Sequence, residues 1–569
     1  MPSLFDPIEI RGVRIRNRIV MPPMTTRQSA ADGSVTKELI RYYVARAEGG
    51  TGLITVEMAA PDPAGRHRAG EVGITDERFI PGLRDLTTHL HQAGAAVAIQ
   101  IGHAGGHTRQ DVTGYPPVAP SAIPHVVQEI DTRTIVPEAL THDGIRGVVT
   151  AFATAAERAK RAGFDVVELH GAHGYLIAQF LSPLDNHRTD QYGGSLPNRA
   201  RFALEVVHAC RQRVGDFPLS FRLSADEYAP GGFTLAEATE VCRWIAEAGA
   251  DILHVSGGCY RSLPSGAIAA PPMSYPEGLF LPLAAAIKKS VQVPVIAVGR
   301  LHDPALAARA VEDGQADMVA LGRQLIADPE WARKVQDKRP GEIRPCIACN
   351  TCIDGMREGS KIRCLVNPVA GRETVYQLGP ASRPRRIVVV GAGPAGMETA
   401  RVLALRGHQV VLFEQAAQVG GQLRLAAKAP VFQDVEANEA TILKFVDFLG
   451  RELQRTGVEV KLGERVTASR VAAAKPDVVV LATGARYRVP FNLFVPRLLA
   501  TRRAPGRLSA FVTRPFIRRL FYYRLRKPDI ALERGLRALG LDVRRIGDCH
   551  RPGKTPEAMA EAAELAYKL

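Results

Sequence analysis

Two histidines and a tyrosine form the part of the chain best suited to proton and carbonyl chemistry. His170, His173 and Tyr175 lie within the segment HGAHGY. Two imidazole donors can stabilise negative charge that develops on a carbonyl oxygen. A tyrosine hydroxyl, with an ordinary pKa of about 10, can protonate the neighbouring carbon. These residue types can therefore bind a carbonyl oxygen and donate a proton.

Four of the eight cysteines stand close together in the sequence. Cys346, Cys349 and Cys352 have the pattern Cys-x₂-Cys-x₂-Cys, and Cys364 follows after eleven residues. This distribution is typical of metal ligands rather than of a disulfide framework. Four thiolates suit a [4Fe–4S] cluster or a structural zinc ion, and the spacing alone leaves both open.

A glycine-rich fingerprint lies in the last third of the chain. The segment RRIVVVGAGPAG places Gly391, Gly393 and Gly396 directly after an apolar run and before a helical pattern. Glu414 follows eighteen residues after the last of these glycines, at the right distance to contact a ribose hydroxyl. A strand, the glycines, a helix and this acidic residue together predict a dinucleotide-binding unit.

The elements that must position the histidines and Tyr175 alternate along the first 345 residues. Eight short apolar runs begin near Asn17, Gly52, Ala95, Asp165, Leu219, Ile252, Pro294 and Asp317, with amphipathic stretches between them. This alternation predicts an α/β fold with a (β/α)₈ barrel, whose chemistry lies at the carboxyl ends of the strands. The Gly-Arg pairs Gly299–Arg300 and Gly322–Arg323 end the last two strands and indicate a phosphate site.

Composition excludes several classes of protein. The chain has 569 residues, of which 46% are hydrophobic and 23% charged, close to the averages for globular proteins. Global disorder and a membrane-embedded bundle are therefore disfavoured. No uncharged apolar run approaches the roughly 20 residues that cross a bilayer, and the first residues lack an apolar signal core. We expect a cytoplasmic protein, with peripheral association at the inner face of the membrane as an option.

The whole predicted barrel resembles the old yellow enzyme family of FMN-binding barrels. The resemblance rests on HGAHGYLIAQFLSPLDNHRTDQYGGSLPNRARF, together with PPMTT, FRLS and the Gly-Arg strand ends. It implies that His170 and His173 bind the substrate carbonyl oxygen and that Tyr175 protonates the carbon opposite the hydride. The FMN contacts that it implies are Met24, Thr25, Thr26, Gln100, Arg222, Gly299, Arg300, Gly322 and Arg323.

The later segments resemble those of 2,4-dienoyl-CoA reductase and trimethylamine dehydrogenase, members of the NADH:flavin oxidoreductases. This resemblance implies a [4Fe–4S] cluster on the four clustered cysteines, which passes electrons between FAD and FMN. It also implies FAD, or ADP as in the amine dehydrogenase branch, in a Rossmann-like domain. The further dinucleotide contacts are Gln422 in GGQL, Gly484 in the ATG turn and Asp548 in the GDC motif.

We predict four parts from these patterns: an FMN barrel over 1–340, a cluster segment over 341–382, a dinucleotide domain over 383–487 and 538–569, and a basic segment over 488–537. Only 62 residues separate Gly484 from Gly547, without a second GxGxxG, so the separate NAD(P)H domain of the relatives is missing. The basic segment carries thirteen Arg or Lys residues against two acidic ones. It is either a shortened linker or a docking site for an anionic membrane or an acidic electron-transfer protein. Nucleic acid is not an expected partner.

Three functions compete on these grounds. The favoured one is reduction of an α,β-unsaturated carbonyl or an enoyl- or dienoyl-CoA substrate. The second is an amine dehydrogenase or N-demethylase, which the cysteine spacing resembles, although that branch has Tyr in place of His170 and a flavin-linking Cys in place of Met24. The third is an electron-transfer subunit. We also expect Tyr260 and Arg261 on the substrate side, NAD(P)H or a protein as redox partner, and a homo-oligomer.

Overall fold

The computed structural model describes residues 2–128, 132–262, 266–487, 526–528 and 530–569. The chain divides into two compact units. The first contains 1–340 and 352–362, and the second contains 341–351 and 363–569. The segment 341–382 is thus shared between the two units. The units are described separately below.

A closed barrel of eight parallel strands forms the first unit, as the sequence predicts. Each strand pairs with its neighbours in chain order, and the last strand pairs with the first. The register places Arg222 beside His170 on one side and His254 on the other. The strands are β1 Ile19–Met21, β2 Leu53–Ala59, β3 Ala96–Ile101, β4 Val166–Gly171, β5 Leu219–Ser224, β6 Ile252–Ser256, β7 Val295–Ala297 and β8 Met318–Ala320.

A helix follows each barrel strand in the sequence. The third, for example, begins after Thr141, whose side chain accepts a hydrogen bond from the amide of Gly144, and it buries Ile145, Val148 and Phe152 along one face. The helices are α1 Lys37–Glu48, α2 Ile80–Gln92, α3 His142–Arg161, α4 Leu196–Val214, α5 Leu235–Glu247, α6 Leu281–Lys288, α7 Pro304–Glu312 and α8 Gly322–Ala327.

Smaller elements accompany the barrel strands and helices. The antiparallel pair Ile8–Ile10 and Val13–Ile15 packs Ile10 and Ile15 into the same core as residues of the barrel strands. The other strands here are Val118–Ala119, His125–Gln128, Thr132–Ile135 and Glu138–Ala139. Short helices span Gln110–Thr113, Leu176–Leu181, Trp331–Gln336 and Thr351–Arg357, with 3₁₀ turns at Pro63–Gly65, Glu77–Phe79, Gly105–His107, Gly266–Ala269 and Pro340–Glu342.

The second unit is built on a five-stranded parallel sheet with the order β11-β10-β9-β12-β13. The fingerprint glycines connect β9 to α9, as predicted. Its main elements are β9 Arg386–Val390, α9 Pro394–Leu405, β10 Gln409–Phe413, α10 Glu439–Arg455, β11 Glu459–Lys461, β12 Val478–Leu481, β13 Val543–Arg545 and α11 Thr555–Lys568. Its shorter elements are Gln422–Ala426, Val431–Phe432, Val435–Glu436, Ala468–Ala472, Ala485–Tyr487, Arg526–Pro528, Ala531–Ala538 and the 3₁₀ turn Gly547–Cys549.

Most of the basic segment 488–537 lies outside the described residues, and so does the docking prediction that rests on it. Its described strand Arg526–Pro528 pairs antiparallel with Ala485–Tyr487. Among the residues that the structure describes, none of the helices combines the length and apolar character needed to cross a membrane.

A buried ion cluster supports the second unit. The carboxylate of Glu398, on α9, accepts hydrogen bonds from Arg344 at 3.0 Å and from Arg401 at 2.8 Å. Burial raises the pKa of this carboxyl group, but the two guanidinium groups outweigh burial and lower the pKa to about 2. Glu398 is therefore charged at neutral pH and is compensated by both arginines.

We predict that this cluster makes the second unit sensitive to acid. The pKa of Glu398 is about 2 in the folded chain against 4.5 without interactions, so its stabilisation is complete above pH 4.5 and declines as the pH falls toward 2. Glu398→Gln should lower the free energy of unfolding at pH 7 by about 3 kcal/mol. It should also reduce the loss of stability between pH 5 and pH 2, as followed by calorimetry.

Glu564→Gln is the matched control, because the Glu564–Lys568 pair is more than half exposed on both sides. Its effect at pH 7 should stay within about 0.5 kcal/mol. Equal effects of the two substitutions would contradict the role of the buried cluster.

Candidate active site

The three predicted catalytic side chains meet at the carboxyl end of β4. The ring centroid of His170 lies 5.2 Å from that of His173 and 4.9 Å from that of Tyr175. His173 adopts a φ of 61°, and Gly174 a φ of 80°, so the chain turns sharply between the strand and the short helix Leu176–Leu181. A non-glycine residue in this left-handed region is uncommon and is typical of functional loops.

Hydrogen bonds hold this turn in place. The amide of His173 donates to the hydroxyl of Ser224 at 3.0 Å, and its Nε2 lies 2.8 Å from the hydroxyl of Ser256. His170 keeps a buried Nδ1 that has no hydrogen-bond partner among the described residues. The ring of His173 is thus fixed by the barrel, whereas His170 retains unused hydrogen-bonding capacity.

Burial and neighbouring charge keep both histidines neutral. Burial lowers the pKa of His170 well below its usual value, and the other histidine and Arg222 lower it further. Burial and then Arg222 have the same effect on the pKa of His173. A neutral imidazole donates one N–H and accepts at the other nitrogen, which suits it to bind a carbonyl oxygen without giving up a proton.

Tyr175 keeps its proton. Burial, followed by the neighbouring Tyr260, raises the pKa of its hydroxyl well above 10. The hydroxyl oxygen lies 3.0 Å from Nδ1 of His67 and 3.3 Å from the hydroxyl of Tyr260. His67 was not predicted as a site residue, because it stands in a loop more than a hundred residues earlier and belongs to no motif.

A second unpredicted group lies inside the barrel, next to Gln100. Nε2 of Gln100 donates to Glu168 at 2.8 Å, and Nδ1 of His254 lies 2.8 Å from the same carboxylate. Ser220 adds a longer hydrogen bond of 3.4 Å. A glutamate within the apolar strand DVVELHG was the available signal. This carboxylate fixes the orientation of the Gln100 amide, a predicted FMN contact.

The residues predicted to hold FMN are placed at strand ends, and their chemistry fits the cofactor. Arg222 is buried, and its Nε has no hydrogen-bond partner within the described ranges, so an acceptor on a bound molecule would satisfy it. Arg300 and Arg323 both donate to carbonyl groups of the same segment, at Pro272 and Pro271 respectively. Two cations at the ends of β7 and β8 suit a phosphate group.

The first strand brings the remaining FMN candidates to the same end. Thr26 is buried and donates its amide to the carboxylate of Glu57. The sulfur of Met24 lies 3.0 Å from the position that a Cβ on Gly322 would occupy, so these two candidates are neighbours. Thr25, which stands between Met24 and Thr26 in the sequence, is half-buried. Gly299 adopts a φ of 113° just before Arg300, itself at 57°.

The two substrate-side candidates differ in their surroundings. The hydroxyl of Tyr260 lies 3.3 Å from that of Tyr175, and its ring centroid lies 4.1 Å from that of His107. Arg261 instead donates to the buried carboxylate of Asp185 at 2.6 Å and to the carbonyl of Pro124 at 3.2 Å. The structure therefore brings Tyr260 into the site, whereas Arg261 is engaged in an ion pair that anchors its loop.

A cavity of about 800 Å³ in the second unit contains the predicted dinucleotide residues. Glu414, at the end of β10, accepts hydrogen bonds from the amides of Ala392 and Ala416 at 2.7 and 2.9 Å. The size and the glycine-lined wall fit an adenine dinucleotide. The predicted residues that line the cavity are Gly391, Gly393, Glu414, Gln422, Gly484 and Asp548.

The fingerprint glycines have different reasons to be glycine. A Cβ on Gly396 would lie 2.0 Å from the carbonyl oxygen of Gly391, so this position serves close packing of the helix on the strand. A Cβ on Gly393 would meet nothing within 4 Å, although this residue lines the cavity. Gly393 thus leaves room for a ligand rather than for the protein.

Three of the four clustered cysteines, Cys346, Cys349 and Cys364, belong to the second unit, and Cys352 belongs to the first. Burial, with smaller contributions from Cys349 and Cys346, raises the pKa of the Cys364 thiol to about 12. Within the described residues, no three His, Cys, Asp or Glu side chains are arranged to hold a metal ion. Four thiols have the number and type of ligands that a [4Fe–4S] cluster needs. Because the described residues do not show such an arrangement, the cluster stays a prediction from the sequence.

Comparison with known proteins identifies the family. Residues 3–342 match the NADH:flavin oxidoreductase / NADH oxidase family, and residues 385–500 match the pyridine nucleotide-disulphide oxidoreductase family. The chain belongs to the NADH:flavin oxidoreductase / NADH oxidase family and is an oxidoreductase with an FMN-type barrel and an FAD-type domain. The predicted fold class and the resemblance are confirmed.

Relatives with different names share most of the chain. It is 46% identical over 86% of its length to an NADH oxidase of Thermoanaerobacter brockii, covering 74% of that protein. It is 38% identical over 87% of its length to an N,N-dimethylglycine/sarcosine dehydrogenase of Chromohalobacter salexigens, covering 70% of that protein. It is 37% identical over 85% of its length to a cinnamate reductase of Clostridium sporogenes, covering 74% of that protein.

Among solved structures, a complex of 2-naphthoyl-CoA reductase with 2-naphthoyl-CoA matches with a TM-score of 0.89 and 26% identity. The match covers 100% of this chain and 99% of that chain.

We predict that two alanine substitutions in the fingerprint separate binding from packing. Gly393→Ala should leave the melting temperature of the apoprotein unchanged but reduce the adenine dinucleotide content at least about tenfold, because the methyl group occupies ligand space. Gly396→Ala should destabilise the second unit by about 3 kcal/mol, because its methyl group meets the carbonyl of Gly391. Cofactor analysis and thermal denaturation measure both effects. Normal cofactor content in Gly393→Ala would refute this assignment of the cavity.

Proposed function

We propose that this protein reduces the carbon–carbon double bond of an α,β-unsaturated carbonyl compound, adding hydride at the β-carbon and a proton from Tyr175 at the α-carbon. The observation that carries the proposal is the meeting of two neutral imidazoles with a protonated tyrosine at the end of β4. The relatives named cinnamate reductase and 2-naphthoyl-CoA reductase support it. Free unsaturated acids, aldehydes and enoyl- or dienoyl-CoA thioesters all fall within this class.

FMN, held by Gln100, Arg222, Arg300 and Arg323 in this proposal, supplies the hydride when bound. His170 donates a hydrogen bond to the substrate carbonyl oxygen. His173, whose ring is held in place by the hydroxyl of Ser256, is the second donor to the same oxygen. Negative charge grows on this oxygen as the β-carbon gains the hydride, so the donors stabilise the enolate more than the substrate.

Tyr175 completes the reaction. Its O–H bond breaks as the electron pair of the enolate forms a new bond between the α-carbon and the proton. A phenol that remains protonated at neutral pH is a suitable donor, because an enolate carbon is far more basic than water. The phenolate left behind is stabilised by the hydroxyl of Tyr260, 3.3 Å away.

The proposal also includes the source of electrons. NAD(P)H or an electron-transfer protein would supply the electrons. FAD, held in the cavity that Gly393 and Glu414 line, and a [4Fe–4S] cluster, held by the four clustered cysteines, would pass them to FMN. Two observations support this relay. One is the cavity lined by the fingerprint residues, and the other is the spacing of the four clustered cysteines in the sequence. In this proposal the basic segment 488–537 docks the electron-transfer protein or an anionic membrane.

A second candidate function is oxidative N-demethylation. It is favoured by the 38% identity to the N,N-dimethylglycine/sarcosine dehydrogenase. In this function FMN bound in the barrel would accept a hydride from an N-methyl carbon, and water would add to the resulting iminium and release formaldehyde and the demethylated amine. Release of formaldehyde from an N-methylated amine, without reduction of unsaturated carbonyls, would favour it over the first.

We predict that Tyr175→Phe slows reoxidation of the reduced enzyme by an unsaturated aldehyde by about a hundredfold or more, because the proton donor is lost. Reduction of the flavins by dithionite should be unchanged. Anaerobic stopped-flow absorbance separates the two half-reactions. Tyr192→Phe is the control, because this buried tyrosine bonds Glu205 away from the site. Reoxidation of Tyr175→Phe at the wild-type rate would overturn the role of Tyr175.

A further inference from the structure

A carboxylate that the proposed reaction does not use lies inside the barrel, on the strand that carries His170. Glu168 stands two positions before His170 on β4, and only 2% of it is exposed. Val166, two positions earlier again, belongs to the core inside the barrel. Side chains two apart on a strand share a face, so all three point into the barrel. A buried carboxylate is unfavourable unless it is compensated, so this one calls for a reason beyond packing.

The surroundings of Glu168 keep it ionised. Its Oε1 accepts a hydrogen bond from Gln100, and its Oε2 lies 2.8 Å from Nδ1 of His254 and 3.4 Å from the hydroxyl of Ser220. Burial raises the pKa of Glu168, but its neighbours outweigh burial and lower the pKa. Burial lowers the pKa of His254, although Glu168 opposes this effect, so the imidazole is neutral. The Glu168–His254 pair therefore carries one negative charge.

Arg222 is the cation that faces this negative charge. It lies on β5, in register with His170 on one side and His254 on the other. Burial lowers the pKa of Arg222, and the charge of Glu168 opposes this effect. Nε of Arg222 has no hydrogen-bond partner among the described residues, so it remains available to a bound molecule. At any group that binds Arg222, the two opposite charges act against each other.

FMN is the cofactor of this family of barrels, and Gln100 and Arg222 are two of its predicted contacts. Glu168 is hydrogen-bonded to the first and acts on the second through its charge. Reduction adds two electrons and one proton to FMN, so the ring gains one negative charge. A fixed positive charge nearby favours the reduced form, and a fixed negative charge opposes it.

We propose that Glu168 lowers the reduction potential of the FMN in the barrel by offsetting the positive charge of Arg222. A cofactor with a lower potential gives up hydride more readily and accepts it less readily. Glu168 thus biases the barrel toward reduction of a substrate and away from oxidation of an amine. It acts through Arg222 and Gln100 and is a positioning residue. The effect on the potential needs only FMN in the barrel, whereas its consequence for turnover rests on the proposed reduction of unsaturated carbonyl compounds.

The experiment is an anaerobic redox titration of the fully loaded protein, followed by flavin absorbance against reference dyes. Glu168→Gln replaces the carboxylate by an amide of the same shape, so it removes the charge and keeps a hydrogen-bonding group. It should shift the equilibrium between oxidised and reduced FMN at least tenfold toward the reduced form. This shift is a rise of about 30 mV for a two-electron couple. Arg222→Gln should shift the same equilibrium in the opposite direction.

Ser220→Ala is the matched control, because it removes the 3.4 Å hydrogen bond to Glu168 and no charge. Its equilibrium should stay within about threefold of the wild type. The flavin transition that Arg222→Gln displaces is assigned to FMN, because Arg222 belongs to the first unit and the dinucleotide cavity to the second. An unchanged or lower FMN potential in folded Glu168→Gln would overturn the proposal.

A double variant decides the question if Glu168→Gln leaves Arg222 uncompensated and the chain fails to fold. Glu168→Gln combined with Arg222→Gln removes both buried charges at once. Its FMN should be at least tenfold easier to reduce than that of Arg222→Gln alone, and equal potentials in these two proteins would contradict the role of Glu168. A shifted potential in a protein whose wild type does not reduce cinnamaldehyde would support the role of Glu168 and overturn the proposed function.

Discussion

The carboxylate of Glu168 is the interaction on which the active end of the barrel depends. It accepts hydrogen bonds from Gln100 on β3, Ser220 on β5 and His254 on β6, and so connects four adjacent strands from within. Burial raises the pKa of this carboxyl, but His254, Arg222 and the hydrogen bond from Gln100 outweigh burial, so that the pKa is lowered and the charge persists. A buried charge is tolerated only when it is paired in this way.

This one charge organises the site above it. Arg222 lies in register between His170 and His254, and its positive charge is balanced by Glu168. With Arg222 held in place, protonation of the two active-site histidines is disfavoured, and they remain neutral donors. Burial raises the pKa of Tyr175 instead, so its hydroxyl keeps its proton. In the proposed reaction, burial and Arg222 therefore keep the histidines as neutral hydrogen-bond donors for oxygen, and burial keeps Tyr175 protonated as the proton donor for carbon.

Sequence patterns predicted the features that depend on local periodicity and on compact motifs. The eight strands, the glycine turn and the HGAHGY constellation are all contained in short segments, so the structure has them where the residues indicate. His67 and the Glu168–His254 pair could not be found in this way, because their partners are 108 and 86 positions distant and are brought together only by barrel closure. Arg261 was predicted as a substrate contact, but the structure engages it with Asp185, which no spacing indicates.

The most direct test of the account is the configuration of the product formed from α-methylcinnamaldehyde in D₂O. Proton delivery by one fixed tyrosine predicts that the initial product carries a deuteron at the α-carbon with a single configuration. A racemic α-carbon would contradict delivery by Tyr175. Recovery of unchanged aldehyde, together with formaldehyde release from an N-methylated amine by the same preparation, would contradict the assignment as a reductase.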